Sequence, residues 1–442
     1  MSARDGTVDA NQALANRDVH IATLPPGPKA VAHIAQQTPF VSPSLIYCYP
    51  LVVARAAGCM VEDVDGNVYL DAQAGVATAS TGHCHPAVAK AIADQAAQLI
   101  HICGTDFYYP AYGALCERLA GLANQRLPSP RGEWQTFLTN SGTEAVEASL
   151  KLARHHTGRS GIIAFRGGFH GRTFGSLSLT SSKTKYRKHF GPFLPGVYHG
   201  DWGNLASVEN DLFGHLIAPD DVAAIVVEPI LGEGGYLLPP SDFLPGLRRI
   251  CDAHGILLVF DEVQSGMGRA GRMFAAEHFG VAPDVLLLAK GIASGMPLGA
   301  MMARKEVMTW PPGSHGSTCA GNPVCCEAAL ATIDLLDGGG LVANSATQGE
   351  HLKTRLRSQL TPAHGVIDVR GVGLMLGVEF DTHERASAVA NLCFERGLLV
   401  LECGTKAIRI SPPLLITDRQ IQTVAEIFVA ACLACAQPSP AA

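Results

Sequence analysis

In the stretch LLLAKGIASGMPLGA, residues 286–300, an apolar run gives way to one lysine, Lys290, followed at once by Gly291. A lysine that closes a strand, with its stem on apolar surface and its head in water, has this spacing. So has a lysine drawn out of water, which loses proton affinity and becomes a nucleophilic amine able to condense with a carbonyl. The residues at the ends of the other apolar runs bear on the choice.

After WQTFL, Ser141-Gly142-Thr143 opens a helical pattern whose apolar face recurs at Ala145, Ala148 and Leu152. Amides at a helix start, flanked by hydroxyls, cradle an anion such as phosphate. An ordinary N-cap with Glu144 in the first turn has the same residues. After SGIIAF, the segment RGGFHGRTFGS sets Phe169 and His170 among glycines, where backbone can approach a flat ligand and a ring can stack on it. Arg172 offers a forked donor to a carboxylate, or a structural salt bridge. IVVEPILGEGG carries Glu228 and, between glycines, Glu233; FDEVQSGMGRAG carries Asp261, Glu262 and Gln264. A carboxylate at that depth needs a partner. For Asp261 a protonated ring nitrogen fits, the arrangement that makes pyridoxal an electron sink. A metal shared by Asp261 and Glu262 is disfavoured because successive strand residues point to opposite faces, and no metal is expected. His83-Cys84-His85 reads as a loop before a helix at Pro86, and Cys432 and Cys435 as a helix end.

The elements that must hold these residues follow from the rhythm of the chain. The runs EWQTFLTN, SGIIAFRG, VAAIVVEP, GILLVFDE and DVLLLAKG alternate with helix-period segments such as HPAVAKAIADQAAQLI. That predicts an α/β fold with a mainly parallel sheet covered on both faces, its ligands beyond the carboxyl ends of the strands. We expect an N-terminal arm at 1–40, the N-terminal part of a small domain at 41–84, a large domain at 85–328 and a C-terminal small α+β domain at 329–442, with a hairpin around Asp65-Gly66. A net charge of −6 with no basic run argues against nucleic acid. No apolar run approaches the ~20 residues of a membrane span. Thirteen scattered cysteines and a polar opening segment point to a reducing, cytoplasmic setting.

The order SGTEAVE, FHGRT, EP followed by GEGG, DEVQSGMGR, AKGIASGMPLGA, HGST, GNP and IRISPP resembles that of class III aminotransferases, pyridoxal-phosphate enzymes of transferase fold type I, the aspartate-aminotransferase fold. The resemblance spans nearly the whole chain beyond the arm. TGHCHPAV, GTDFYYP and WPPGSHGST bring it nearest to 4-aminobutyrate aminotransferases and their relatives. It implies pyridoxal 5'-phosphate as cofactor, with Lys290 as the Schiff-base lysine and proton carrier and Asp261 on the pyridine nitrogen. It implies Phe169 and Val263 on the two ring faces, His170 beside them, Gln264 near the phenolic oxygen, and Ser141, Gly142 and Thr143 on the phosphate. Thr318 would reach the phosphate from a partner subunit, so that a homodimer, alone or in a dimer of dimers, shares its active sites. Arg409 would grip the α-carboxylate of glutamate or 2-oxoglutarate, with Glu233 pairing with Arg409 until it arrives. Arg172 would take the other carboxylate and Val76 would line the substrate pocket. Cys319-Ala320 stand where the family has an aromatic residue and then glycine. The implied reaction is ping-pong transfer from an ω-amino acid to 2-oxoglutarate. Competing readings are an acetylornithine- or ornithine-type donor, an α-amino acid racemase or epimerase, and a non-catalytic pyridoxal-binding protein.

Overall fold

The computed structural model describes residues 11–128 and 133–436. They form two compact units, one of Pro86–Val342 and one of Met1–His85 with Ala343–Ala442. Helix Pro323–Asp337, which a boundary at 328 would divide, belongs whole to the first unit, where it packs on helices Pro86–Gln98 and Pro110–Arg126.

Seven strands make the sheet of the Pro86–Val342 unit: β1 (Trp134–Thr139), β2 (Gly161–Arg166), β3 (Val197–Asp201), β4 (Val222–Val227), β5 (Leu257–Asp261), β6 (Val285–Leu288) and β7 (Gly299–Arg304). Their spatial order is β1-β7-β6-β5-β4-β2-β3. β3, β2, β4, β5 and β6 pair in parallel, and β7 runs antiparallel to both of its neighbours. Every residue of β4, β5 and β6 is buried. A strand covered on both faces has no polar side, which is why these segments read as unbroken apolar runs. β3 and β7 were not among the predicted strands. β7, GAMMAR, has little intrinsic strand preference, and its pairing on both edges with β1 and β6 overrides that.

Helix Gly142–Thr157 lies on this sheet with Ala145, Ala148 and Leu152 fully buried, and ends at Gly158, whose φ of 70° suits a left-handed cap. Its apolar face joins Ile162, Val226, Val259, Leu287 and Met301 in one core.

The other unit holds two four-stranded sheets. In one, Val53–Ala57, Met60–Asp63 and Val68–Asp71 run antiparallel and Leu398–Leu399 adds in parallel. In the other, Val366–Val372, Met375–Phe380, Ala407–Ile410 and Leu401–Cys403 are antiparallel throughout. The Asp65-Gly66 hairpin is closed by Asp63, whose Oδ1 accepts the amides of Asp65 and Asn67 at 2.9 and 2.8 Å. Helix Asp418–Ala436 is long and apolar enough to cross a membrane by length and composition alone. It packs on helix His383–Glu395 with Ile421, Val424 and Phe428 buried and Arg419, Gln422 and Glu426 exposed, the two-faced pattern of a core helix.

Ala74–Ala77 winds left-handed. The four φ values are 50°, 57°, 63° and 59°, and ψ is 47° at Gly75 and 53° at Val76. Left-handed backbone costs roughly 1–2 kcal/mol per L-residue. Asp71 holds the turn: its Oδ1 accepts the amides of Gln73 and Ala74 at 2.8 and 2.9 Å, and its Oδ2 lies 2.7 Å from His83 Nε2. His83 therefore braces this turn.

Candidate active site

β4, β5 and β6 are parallel and in register, with Val227 beside Phe260 and Asp261 beside Leu287. Residues at their carboxyl ends are gathered on one edge as a consequence. Glu228 follows β4, Asp261 ends β5, and Lys290 lies just past β6. Ser141 follows β1 and Phe169 follows β2.

Lys290 is half-buried and opens a short 3-10 turn with φ 46°. A non-glycine residue in the left-handed region is strained, and such strain concentrates at functional sites. Gly142 shows how tightly the edge is drawn. A Cβ there would lie 2.8 and 2.9 Å from the Val263 methyls and 3.4 Å from Ala289 Cβ, so the helix start, the β5 loop and the residue before Lys290 converge on one point.

Asp261 uses both oxygens. Oδ2 lies 2.7 Å from His170 Nδ1, and Oδ1 accepts the Val263 amide at 3.1 Å. The His170 and Asp261 side chains are 1% and 5% exposed. Burial by itself would lower the His170 pKa; the hydrogen bond and charge of Asp261, with the charge of Glu228, outweigh it and raise it. Glu228 accepts the Phe169 amide at 2.8 Å on one oxygen and the Gly232 amide at 2.9 Å on the other. Burial pushes its carboxyl up to about 7. Glu262 turns away, accepting the amides of Ala275 and Ala276 at 2.6 and 2.8 Å, and burial pushes it up to about 8. The adjacent carboxylates Asp261 and Glu262 thus diverge to separate partners, which is no geometry for sharing an ion.

Phe169 meets the edge of Tyr186 at 5.6 Å between centroids, and the exposed Arg172 guanidinium lies 5.7 Å from the same Tyr186 ring. Glu233 accepts the Tyr186 hydroxyl at 3.3 Å and pairs with Lys183 at 3.2 Å. Tyr186 and Lys183 were invisible as site residues in sequence, because SSKTKY carries no turn or spacing that marks it. Ser141 caps its helix, accepting the Glu144 amide at 3.4 Å, so the cap and the cradle are one structure. Thr143 turns its hydroxyl to Thr173 and Ser176 at 2.8 and 2.6 Å, leaving the first-turn amides as the groups this helix start presents to an anion. Thr318 is exposed, next to Ser317, whose hydroxyl lies 3.0 Å from Asn140 Nδ2. Val76 and Arg409 belong to the other unit. Val76 sits in the left-handed turn, and Arg409 is buried in strand Ala407–Ile410, opposite Gly377 and Leu401.

This donor set fits pyridoxal phosphate. Gln264 Oε1 is buried and meets no protein donor, and a carboxamide can turn either its oxygen or its nitrogen toward a phenolic oxygen. Asp261 is an oriented acid, the Gly142 helix start an anion cradle, and Phe169 a ring fixed through its amide.

Known proteins agree. The sequence profile of the family described as aminotransferase class III matches residues 46–432. An acetylornithine aminotransferase of Archaeoglobus fulgidus is 40% identical over 380 residues, covering 86% of this chain and 95% of that protein. The 4-aminobutyrate aminotransferase GabT of Escherichia coli is 40% identical over 402 residues, covering 86% and 93%. The 5-aminovalerate aminotransferase DavT of Pseudomonas aeruginosa is 39% identical over 396 residues, covering 85% and 91%. Among solved structures, the ornithine aminotransferase of Toxoplasma gondii matches with a TM-score of 0.85 at 30% identity, covering 98% of this chain and 99% of that one. A lysine past the end of a parallel strand, an oriented buried acid on the same sheet edge and a family profile over most of the length converge: the chain belongs to the class III aminotransferases, pyridoxal-phosphate-dependent enzymes of fold type I.

Proposed function

We propose that this enzyme takes the amino group from the terminal amine of an ω-amino acid such as 4-aminobutyrate and delivers it to 2-oxoglutarate by a ping-pong exchange. The observation that carries this reading is Arg172. Its exposed guanidinium, held over Tyr186 in the segment that also supplies Phe169, is a carboxylate anchor separate from the buried Asp261 edge. A donor with its carboxylate at the far end from its amine suits such an anchor. The names of GabT and DavT fit it, since 4-aminobutyrate and 5-aminovalerate are both of that form. Acetylornithine is the second reading, favoured by three relatives of that name at 40%, 43% and 41% identity.

Pyridoxal phosphate, when bound, supplies an aldehyde for the amine and a ring that draws electrons from the reacting carbon. Lys290, half-buried, takes and returns the proton at Nζ as general base and acid. Asp261, oriented by His170 and the Val263 amide, would pair with the ring nitrogen. The amides of Gly142 and Thr143 with the Ser141 hydroxyl would hold the phosphate, Phe169, Val263 and His170 would hold the ring, and Gln264 would serve the phenolic oxygen. Arg409 is the proposed ligand of the α-carboxylate of glutamate or 2-oxoglutarate, and Glu233 and Val76 are further proposed substrate-binding residues. The proposed assembly is a homodimer in which Thr318 would reach the partner's phosphate; the exposed Ile100, Phe107 and Tyr108, close in sequence, support an apolar contact surface.

The test is a panel of amine donors with 2-oxoglutarate, scored by glutamate formed. Terminal-amine donors carrying a carboxylate are expected to lead the panel, and 4-aminobutyrate to exceed acetylornithine. No glutamate from any ω-amine donor overturns the reading.

A further inference from the structure

Glu228 lies beside the proposed cofactor site, yet the mechanism assigns it no task. It is 6% exposed, and its two oxygens bridge two loops: Oε1 accepts the amide of Phe169, after β2, and Oε2 accepts that of Gly232, after β4. Gly232 precedes Glu233, and a Cβ on it would lie 3.0 Å from Glu228 Oε2 and 3.2 Å from Gln264 Cδ and Nε2. One carboxylate therefore sets the positions of a ring that would stack on the cofactor and of a loop that carries Glu233, and Gly232 in that loop lies close to the Gln264 carboxamide. The charged groups facing it are His170 and Asp261.

We infer that Glu228 is a positioning residue whose negative charge keeps Phe169, the Gly232–Glu233 loop and the His170–Asp261 pair in the arrangement that binds pyridoxal phosphate. This rests on the functional reading above. Both groups that Glu228 accepts from are backbone donors. A protonated carboxyl carries a donor of its own on one oxygen, so on protonation one of the two loop contacts must weaken. Burial brings that proton exchange up to about 7, within the range an intact protein tolerates.

The experiment titrates the apoprotein with pyridoxal phosphate at a series of pH values and reads binding by tryptophan fluorescence. Trp202, whose indole donates to the Glu228 carbonyl at 3.2 Å, is a local reporter. The unaltered protein is expected to bind more weakly as pH falls through about 7. Glu228→Gln, which cannot accept from both amides, is expected to bind ~10–100-fold more weakly above that pH, from the loss of one charge-assisted buried hydrogen bond, and to lack the fall. Gly232→Ala, which presses a methyl on the same carboxylate, is expected to bind several-fold more weakly with the fall retained. Apoprotein melting curves confirm that each variant is folded, and Gly232→Ala keeps the inference testable should Glu228→Gln not fold. Equal affinity and an unchanged profile in Glu228→Gln overturns the inference, as does a uniform loss with the fall intact, or a Gly232→Ala protein that binds like the parent. An unaltered protein that binds no pyridoxal phosphate overturns the functional reading, and this inference with it.

Discussion

Asp261 gives its oxygens to His170 and to the Val263 amide, whereas Glu262, the next residue, gives its oxygens to two amides in a fully buried pocket. The second environment, shut off from water, resists a charge. Glu262 moves from 4.5 to about 8 because of burial, with the charges of Glu277 and Asp261 adding to it and the Ala275 and Ala276 amides opposing. Between those values the folded protein holds a proton that the unfolded chain has released, so stability falls as pH rises through that window and levels above it. Glu228, raised to about 7, and His170, also raised, act with the same sign. The melting temperature of the apoprotein is therefore expected to fall on going from about 4.5 to about 8, and Glu262→Gln to flatten the slope; a flat profile in the parent protein contradicts this. Lys290→Ala is expected to lower kcat at least ~100-fold, the lower range for losing a general acid–base group, with little change in melting temperature. Arg172→Leu is expected to raise KM for carboxylate-bearing donors ~10-fold or more and to leave KM for a simple primary amine nearly unchanged, which initial-rate kinetics read directly.

At the scale of elements, the apolar runs were legible because strands buried on both faces have no alternation to hide behind. β4, β5 and β6 show this most plainly, and the ends of these runs marked Asp261 and Lys290. The left-handed turn Ala74–Ala77 was not legible, because nothing in AGVA distinguishes it from an ordinary helical turn. Its conformation comes from Asp71 and His83, which hold it from outside. Val76 is β-branched and carries φ 63°, so Val76→Asn, a residue that tolerates this region, is expected to raise the melting temperature slightly while shifting the order of preferred donors. Asp71→Ala should do the reverse to stability, lowering it by about 1–3 kcal/mol as the Gln73 and Ala74 amides lose a buried acceptor, measured by urea unfolding. Helix Gly142–Thr157 depends on its apolar face, and Leu152→Ala is expected to cost about 2–5 kcal/mol by the same measurement.

At the scale of the molecule, two units, one continuous and one made of the two segments that flank it, carry different parts of the proposed chemistry: the Pro86–Val342 unit holds Lys290, Asp261 and the anion cradle, and the other holds Val76 and Arg409. If the exposed Ile100, Phe107 and Tyr108 are covered by a second copy, the melting temperature should rise with protein concentration, and Tyr108→Glu should abolish that rise. The α/β class, the strand ends and the residue types there can be read from the chain alone, because burial on both faces of a parallel sheet and the turns after it leave direct marks on composition. Tertiary structure alone decided which oxygens of Asp261, Glu228 and Glu262 met which donors, that Glu233 met Lys183 and Tyr186, and that Ala74–Ala77 wound left-handed. Those outcomes depend on segments far apart in the chain arriving within hydrogen-bond distance, and no local pattern records a distance.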